Sequence, residues 1–331
     1  MLWQKISAAF NSILEALSKK LPPQCAATVP RLLRWRRDNP YDISPLRSVK
    51  LVRSMNPNRM NRGRNWAVGC VSYLNSKPLI EPLLRHPDVQ VHFAVPAALL
   101  ELMTSGTAAA ALMPIVDYQN SPIVPMLVPA GAICSDGPTL TVRIFSRVAP
   151  RQITRLHADT DSHTSVILAQ VILRELYGCK SQIIPLEARS TRVRREAPET
   201  LLLIGDKVVN AAPPAKDYPW QLDLGAEWKR LTGLPFVFAM WMMPAAAPDR
   251  ELARLLADAR REGGRMTDQL VERYAKEKGW PADLARRYFT EHIRYEVTPR
   301  CRRGVEAFFQ LADRHGLLAV HRPVHYLEIQ P

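Results

Sequence analysis

A chain of 331 residues is long enough for two domains and a sizeable core. Its formal net charge of +14 suggests a polyanion binder, but thirteen Lys and Arg against three Asp and Glu put +10 of that into residues 1–65, leaving +4 for the other 266. No basic stripe with interleaved aromatics marks the body as a nucleic-acid binder, no apolar run approaches the roughly 18 residues that span a bilayer, and no glycine-rich dinucleotide or P-loop phosphate cradle is present.

The amino-terminal segment stands apart. Leu2, Trp3, Ile6, Phe10, Ile13, Leu14, Leu17 and Leu21 recur at spacings of three and four, an amphipathic helix stopped by Pro22 and Pro23. Such a helix suits a membrane surface or a partner. Asn11 and Glu15 interrupt its apolar run, so it makes a poor secretory signal. Residues 24–64 are rich in Arg and Pro without periodicity and read as mostly disordered. Residues 1–65 therefore read as a basic extension. Met55 and Met60, just before the first clear strand, are candidates for the native start.

From Trp66 strands and helices alternate, an α/β pattern. Trp66–Val71 reads as a strand, Leu79–Leu84 as a helix, Val89–Val95 as a strand, Pro96–Ser105 as a helix and Ala108–Met113 as a strand. Ile123–Val128 and Gly131–Cys134 lead to the turn Ser135-Asp136-Gly137-Pro138, and Thr139–Phe145 is a strong β run. The pattern lapses around Val148–Ile153, a candidate crossover into a second α/β unit of strand Leu156–Ala158, helix Thr164–Leu176, strand Gln182–Pro185, a charged loop and strand Leu201–Ile204. After a Pro-rich connector, Leu234–Met243 is a long buried strand able to cross back to the first unit. Helices then cover Arg250–Glu262, Thr267–Glu277, Pro281–His292 and Arg302–Arg314. The expected division is 66–150 with 236–331 as one domain and 151–235 as the other.

The densest chemistry follows the first strand, where Ser72, Tyr73, Asn75 and Lys77 cluster before Pro78 opens a helix. Ligands of open α/β sheets bind at such carboxyl ends of strands, and Asn both donates and accepts. An ordinary βα turn is the other local account. Asp159-Thr160-Asp161-Ser162-His163-Thr164-Ser165 crowds hydroxyls onto one helix start. Free N–H groups and the dipole there favour an anion such as a carboxylate, although capping alone needs one such residue. Thr141 either faces a cleft or is a Thr favoured by its strand, and Asp206 ends a strand at Ile204-Gly205. His321 and His325 have metal-ligand spacing, but Pro323 between them interrupts a helix. The five cysteines (Cys25, Cys70, Cys134, Cys179 and Cys301) are odd in number and form no CxxC pair. They suggest neither a disulfide framework nor a metal site, and they suit a reducing, cytoplasmic compartment.

Taken together, SYLNSKPL, SDGPTLTV, DTDSHTSV, LLLIGD and DLGAEWKRLTGLPFVFAMW occur in the order found in the chorismate dehydratase family of the futalosine route to menaquinone. The chain resembles that family from about Trp66 to its carboxyl end. The sister family of dihydroxynaphthoate synthases carries Ser-Pro-Cys-Pro-Asn-Asp at its first strand, absent here. The resemblance implies a two-domain type II periplasmic-binding-protein-like fold with the ligand in the interdomain cleft, plus carboxyl-terminal helices. It implies a hydro-lyase that uses no cofactor and no metal, converting chorismate to 3-(1-carboxyvinyloxy)benzoate. The expected partner is that small-molecule substrate, with no nucleic acid and no membrane for the body of the chain, and the expected state is a monomer or homodimer. By position, Asn75 corresponds to the family Asn at the reacting ring and, with Thr141, is the catalytic candidate. Ser72, Tyr73, Gly137, Ser162, His163, Thr164, Ser165 and Asp206 are the substrate-binding candidates. Two departures stand out: Thr141 replaces a family Ser, and His163 stands where Arg is usual, removing a fixed positive charge. Outside this family, the alternatives are a non-catalytic binding protein for an aromatic or carboxylated small molecule, and an enzyme of the same fold acting on another cyclic acid.

Overall fold

The computed structural model describes residues 65–159, 161–186 and 198–329. The amino-terminal amphipathic helix, residues 24–64 with the candidate starts Met55 and Met60, Thr160 and residues 187–197 of the charged loop that follows Gln182–Pro185 lie outside the described residues.

In chain order the described strands are β1 (Trp66–Cys70), β2 (Val89–Phe93), β3 (Ala110–Pro114), β4 (Pro125–Ser135), β5 (Val142–Ser146), β6 (Arg155–Asp159), β7 (Gln182–Leu186), β8 (Thr200–Ile204), β9 (Trp220–Asp223) and β10 (Phe236–Pro244). They form two five-stranded sheets of order β2-β1-β3-β10-β4 and β7-β6-β8-β5-β9. The sheets are built alike. β1 is parallel to β2 and β3, and β10 inserts antiparallel between β3 and β4. Likewise β6 is parallel to β7 and β8, and β5 inserts antiparallel between β8 and β9. The antiparallel member thus arrives from the other end of the chain segment, and in the first sheet it is the long apolar strand that returns from the second unit.

β10 fits its central place because nearly its whole length is apolar, as a strand covered on both faces requires. β4 is a single edge strand rather than the two short ones expected from sequence. Pro129 cannot donate to a ladder, which an edge and a bulge tolerate. The register jumps from Met240↔Ala132 to Trp241↔Val128, so residues 129–131 bulge out around it. The expected boundary at 150 is also displaced. β5 belongs to the second sheet, so the chain leaves the first sheet after Ser135, not around Val148–Ile153. The turn at Asp136–Pro138 is the crossover, and the apolar lapse at Val148–Ile153 is a loop within the second unit.

The helices are α1 (Lys77–Ile80), α2 (Pro96–Thr104), α3 (Asp117–Asn120), α4 (His163–Tyr177), α5 (Asp206–Asn210), α6 (Leu224–Thr232), α7 (Arg250–Gly264), α8 (Thr267–Tyr274), α9 (Ala282–Arg287) and α10 (Pro299–Arg314). β9 and α6 are additions to the sequence reading, which saw a connector there. The expected helix over Pro281–His292 is α9 continued by one π-helical turn, Tyr288–His292. Every residue from Thr164 to Leu173 of α4 is buried, so this helix is a core element rather than a surface crossover. No helix among the described residues is long and apolar enough to cross a membrane.

Candidate active site between the two sheets

Strands β1, β6 and β8 run their carboxyl ends toward one cavity. Its walls take Val71, Tyr73 and Asn75 from the turn after β1, Thr139 and Thr141 from the crossover into β5, Ser162, Thr164 and Ser165 from the start of α4, Ile204 and Gly205 from the end of β8, Phe238 from β10 and Tyr288 from the π-helical turn. Its volume of about 80 Å³ compares with the roughly 10–15 Å³ that holds one water. The space therefore suits a small organic molecule, with polar groups on an apolar wall of Val71, Ile133, Ile204 and Phe238.

Local chemistry sets each wall. After β1, Ser76 Oγ donates toward Val71 O (2.9 Å) and Tyr73 O (2.8 Å), which folds the backbone into a turn that presents Asn75. The Asn75 Oδ1 is buried and has no partner in the protein. In the crossover, Leu140 has a φ of +67°, the left-handed region that β-carbons disfavour, and is the one non-glycine with positive φ among the described residues. Asp223 holds it there. Its carboxylate accepts from Thr139 N (2.9 Å) and Leu140 N (2.8 Å), and caps α6 by accepting from Gly225 N (3.0 Å) and Ala226 N (3.1 Å). Strain in this loop positions Thr141 at the cavity.

Thr141 Oγ1 lies 2.7 Å from the Tyr288 hydroxyl. Burial pushes the Tyr288 hydroxyl well above the ordinary tyrosine range, while the Thr141 hydrogen bond pulls the other way. Tyr288 is thus a neutral phenol at physiological pH. At the start of α4, Ser162 Oγ accepts from Ser165 N (3.1 Å) and Thr164 Oγ1 accepts from Val116 N (3.3 Å). Each oxygen is occupied as an acceptor, so each hydroxyl hydrogen remains to donate. The helix start offers O–H donors and a positive dipole end to an anion.

Of the residues singled out from sequence, Tyr73, Asn75, Thr141, Ser162, Thr164 and Ser165 line the cavity together. Ser72 is exposed on the outer side of its turn. Gly137, at φ +133°, is a buried corner of the crossover, with its carbonyl against Gly225. His163 turns from the cavity wall to Asp117, its Nδ1 2.8 Å from Oδ1 of that buried carboxylate. Asp206 lies behind the wall, where its Oδ1 accepts from Trp280 Nε1 (3.0 Å) and Leu74 N (3.4 Å), and burial raises its carboxyl above the ordinary value. His321 sits 3.1 Å from Asp313 Oδ2, and no group of three potential metal ligands occurs among the described residues. Sequence reasoning missed Tyr288, Phe238 and Asp117. No local signal marks the first two; Asp117 follows Pro114 at the end of β3, a strand end of the kind that singled out Asn75 and Asp206.

Known proteins bear on this geometry. A family model described as menaquinone biosynthesis matches residues 66–314. The chorismate dehydratase of Thermus thermophilus is 29% identical over 260 residues, covering 74% of this chain and 94% of the relative. Among solved structures, protein AF1704 of Archaeoglobus fulgidus superposes with a TM-score of 0.60 at 14% identity, covering 76% of this chain and 98% of that one. The alkanesulfonate-binding protein SsuA of Xanthomonas axonopodis pv. citri, solved with MOPS, gives a TM-score of 0.57 at 14% identity, covering 79% and 97%. At that identity these structures speak to fold alone, and the fold is α/β and periplasmic-binding-protein-like. With the family model spanning three quarters of its length, the chain belongs to the menaquinone biosynthesis family.

Proposed function

We propose that this protein is a chorismate dehydratase that removes water from chorismate to give 3-(1-carboxyvinyloxy)benzoate in menaquinone biosynthesis. The observation that carries this reading is the cavity itself: polar groups from four segments, Asn75, Thr141, Tyr288, and the hydroxyls of Ser162, Thr164 and Ser165, converge on an apolar-walled space. A hydroxylated ring bearing two carboxylates fits that set. The helix start takes one carboxylate, the apolar wall takes the ring, and Asn75 with Thr141 meets the ring substituents. Family membership and the dehydratase relative support the same reading.

The chemistry suits the residues present. A ring proton and the ring hydroxyl leave together as water, and the ring becomes aromatic, so the driving force belongs to the substrate. The protein has to hold a dianion and align the bond that breaks. Among the described residues that line the cavity there is no Asp, Glu, His or Lys, and Tyr288 is held as a neutral phenol. A carboxylate of the substrate is therefore the base: it takes the ring proton, the electron pair moves into the ring, and the C–O bond breaks to release the hydroxyl, which takes up a proton. We place the enzyme in the cytoplasm, consistent with free Cys70, Cys134, Cys179 and Cys301, as a monomer or homodimer.

The test is direct. Purified protein mixed with chorismate, with no metal or nucleotide added, is expected to yield a product lighter by one water in the mass spectrum. Tight binding without turnover assigns it instead to the non-catalytic solute-binding proteins.

A further inference from the structure

The short helix α5 belongs to the second unit but is seated on the first. Asp206 follows β8 of the second sheet, yet both groups bonded to its carboxylate come from the other unit: Leu74 N (3.4 Å) and Trp280 Nε1 (3.0 Å) donate to the same Oδ1. Trp280 is buried in the core of the first sheet with Val68, Cys70 and Leu74. The far end of α5 repeats the pattern. Val209 packs against that core, and Asn210 Nδ2 donates to Lys278 O (2.7 Å). Gly279, at φ +71°, lies so close to the Asn210 carboxamide that a β-carbon would meet its Oδ1 at 3.0 Å. Three of the five residues of α5 thus touch the opposite unit.

Each donor to Asp206 stands next to a polar group of the cavity. Leu74 N opens the 3-10 turn Leu74–Ser76, which carries Asn75 at its centre. The Trp280 ring packs on the Tyr288 ring with centroids 4.9 Å apart, and the Tyr288 hydroxyl lies 2.7 Å from Thr141 Oγ1. Asn75, Thr141 and Tyr288 line the cavity, whereas Asp206 lies behind its wall. One carboxylate oxygen therefore fixes the backbone that presents Asn75 and the ring that backs Tyr288. Two N–H groups aimed at one acceptor are held in register with each other, and this register exists only while the two units meet.

We propose that Asp206 is a positioning residue for the dehydration: as the units close, its carboxylate sets the Asn75 turn and the Trp280–Tyr288 stack in register, so that the polar groups at the reacting ring are aligned only in the closed protein. This inference rests on the reading of the reaction as loss of water from chorismate and deepens it. With a substrate carboxylate as the base, alignment is the protein's main part in the step. Asp206 acts on that alignment through its neighbours. The start of α4, which takes a substrate carboxylate, stands apart from these bonds, so loss of Asp206 misaligns the bond that breaks while the anion site stays in place.

The experiment is steady-state kinetics with chorismate on wild type, Asp206→Ala, Asp206→Asn, Trp280→Phe and the double variant of Asp206→Ala with Trp280→Phe. Asp206→Ala is expected to lower kcat about 30–100-fold and to change KM less than about threefold, since a misplacement of about 1 Å costs on the order of 100-fold. Asp206→Asn keeps an acceptor at Oδ1 and is expected to recover about tenfold of that loss. Trp280→Phe keeps a ring on Tyr288 and deletes one donor, for an expected fall in kcat of about 3–10-fold. Two lesions in one bond do not multiply, so Asp206→Ala is expected to cost about 3–10-fold less in the Trp280→Phe background than in wild type. A rise in KM with kcat kept, an Asn variant no better than Ala, or effects that multiply each overturn the positioning role. Where Asp206→Ala does not fold, Trp280→Phe decides, and wild-type kcat in that variant overturns the role. Turnover by wild type with any of these contrary results removes this inference alone, and no turnover by wild type removes the proposed function with it.

Discussion

Asp206 shows how one half-buried side chain trades stability for position. It anchors the turn before Asn75 through Leu74 N and holds Trp280 behind Tyr288. Burial raises its carboxyl above the ordinary 3.8, with the hydrogen bonds from Trp280 and Leu74 acting against the shift. A raised carboxyl binds its proton more tightly folded than unfolded, so its contribution to stability falls as pH rises from the unfolded value through the folded one and stays low above it. Asp206→Asn keeps an acceptor at Oδ1 without the charge. Its melting temperature relative to wild type is expected to be higher at pH 8 than at pH 4, by about 2–4 °C for each kcal/mol relieved. Scanning calorimetry at the two values checks this; a gap that does not change with pH removes burial as the cause. Asn75, Thr141 and the hydroxyls of α4 were legible in the sequence because each sits in a short run of polar residues at the end of an apolar strand. Tyr288 was not, because what makes it a wall of the site is a π-helical turn and contacts to residues far away in sequence, neither of which leaves a local pattern. His163 was legible as a departure, but its turn toward Asp117 depends on a pairing of strand ends that only the assembled sheets create.

At the scale of elements, close backbone approach decides which positions tolerate a side chain. Gly263, in the last turn of α7, lies so near α1 that a β-carbon would overlap the Pro78 carbonyl, whereas the next residue, Gly264, has open space around it. Gly263→Ala is expected to lower stability by about 1–3 kcal/mol through overpacking, and Gly264→Ala to leave it unchanged or raise it by about 0.5–1 kcal/mol, since Gly is a poor helix former. Urea titration of the two variants separates them; equal effects at the two positions would show that α7 can slide on α1. Because α1 follows directly on the Asn75 turn, Gly263→Ala is also expected to disturb the site, while Gly264→Ala is not. Most elements were legible, since β1, α2, α4, β10 and α10 carry strong apolar periods or punctuation. β9 and α6 were not: Trp220–Asp223 is half exposed and too short for a period, and α6 is set by Asp223 as its cap, a carboxylate whose other bonds reach back to Thr139 and Leu140. The placement of β5 in the second sheet was hidden for a related reason. An antiparallel insertion is a fact of topology, and a strand reads the same in either sheet.

For the whole molecule, the site is complete only while the two sheets face each other across it. One visible tie is Tyr73, from the turn after β1, whose hydroxyl donates to Asp161 Oδ2 (3.0 Å) beyond β6, with Lys207 Nζ on the same oxygen at 2.8 Å. The ring of Tyr73 also lies against Gly205, where a β-carbon would meet it at 3.3 Å. This places a residue of the first sheet on a carboxylate and a glycine of the second. A ligand that needs both walls binds only the closed fraction of molecules, so its apparent affinity falls in proportion to that fraction. Tyr73→Phe keeps the ring on Gly205 and deletes the bond to Asp161, leaving that carboxylate with Lys207. A hydrogen bond to a charged group is worth about 1.5–3 kcal/mol. The share expressed as closure is expected to raise KM for chorismate about 3–30-fold while changing kcat less, because the groups at the reacting ring are untouched. Steady-state kinetics give that split, and small-angle scattering of the ligand-free variant is expected to show a larger radius of gyration that returns to the wild-type value when ligand saturates. A fall in kcat with KM kept would place Tyr73 at the chemistry instead of at the closure of the cleft.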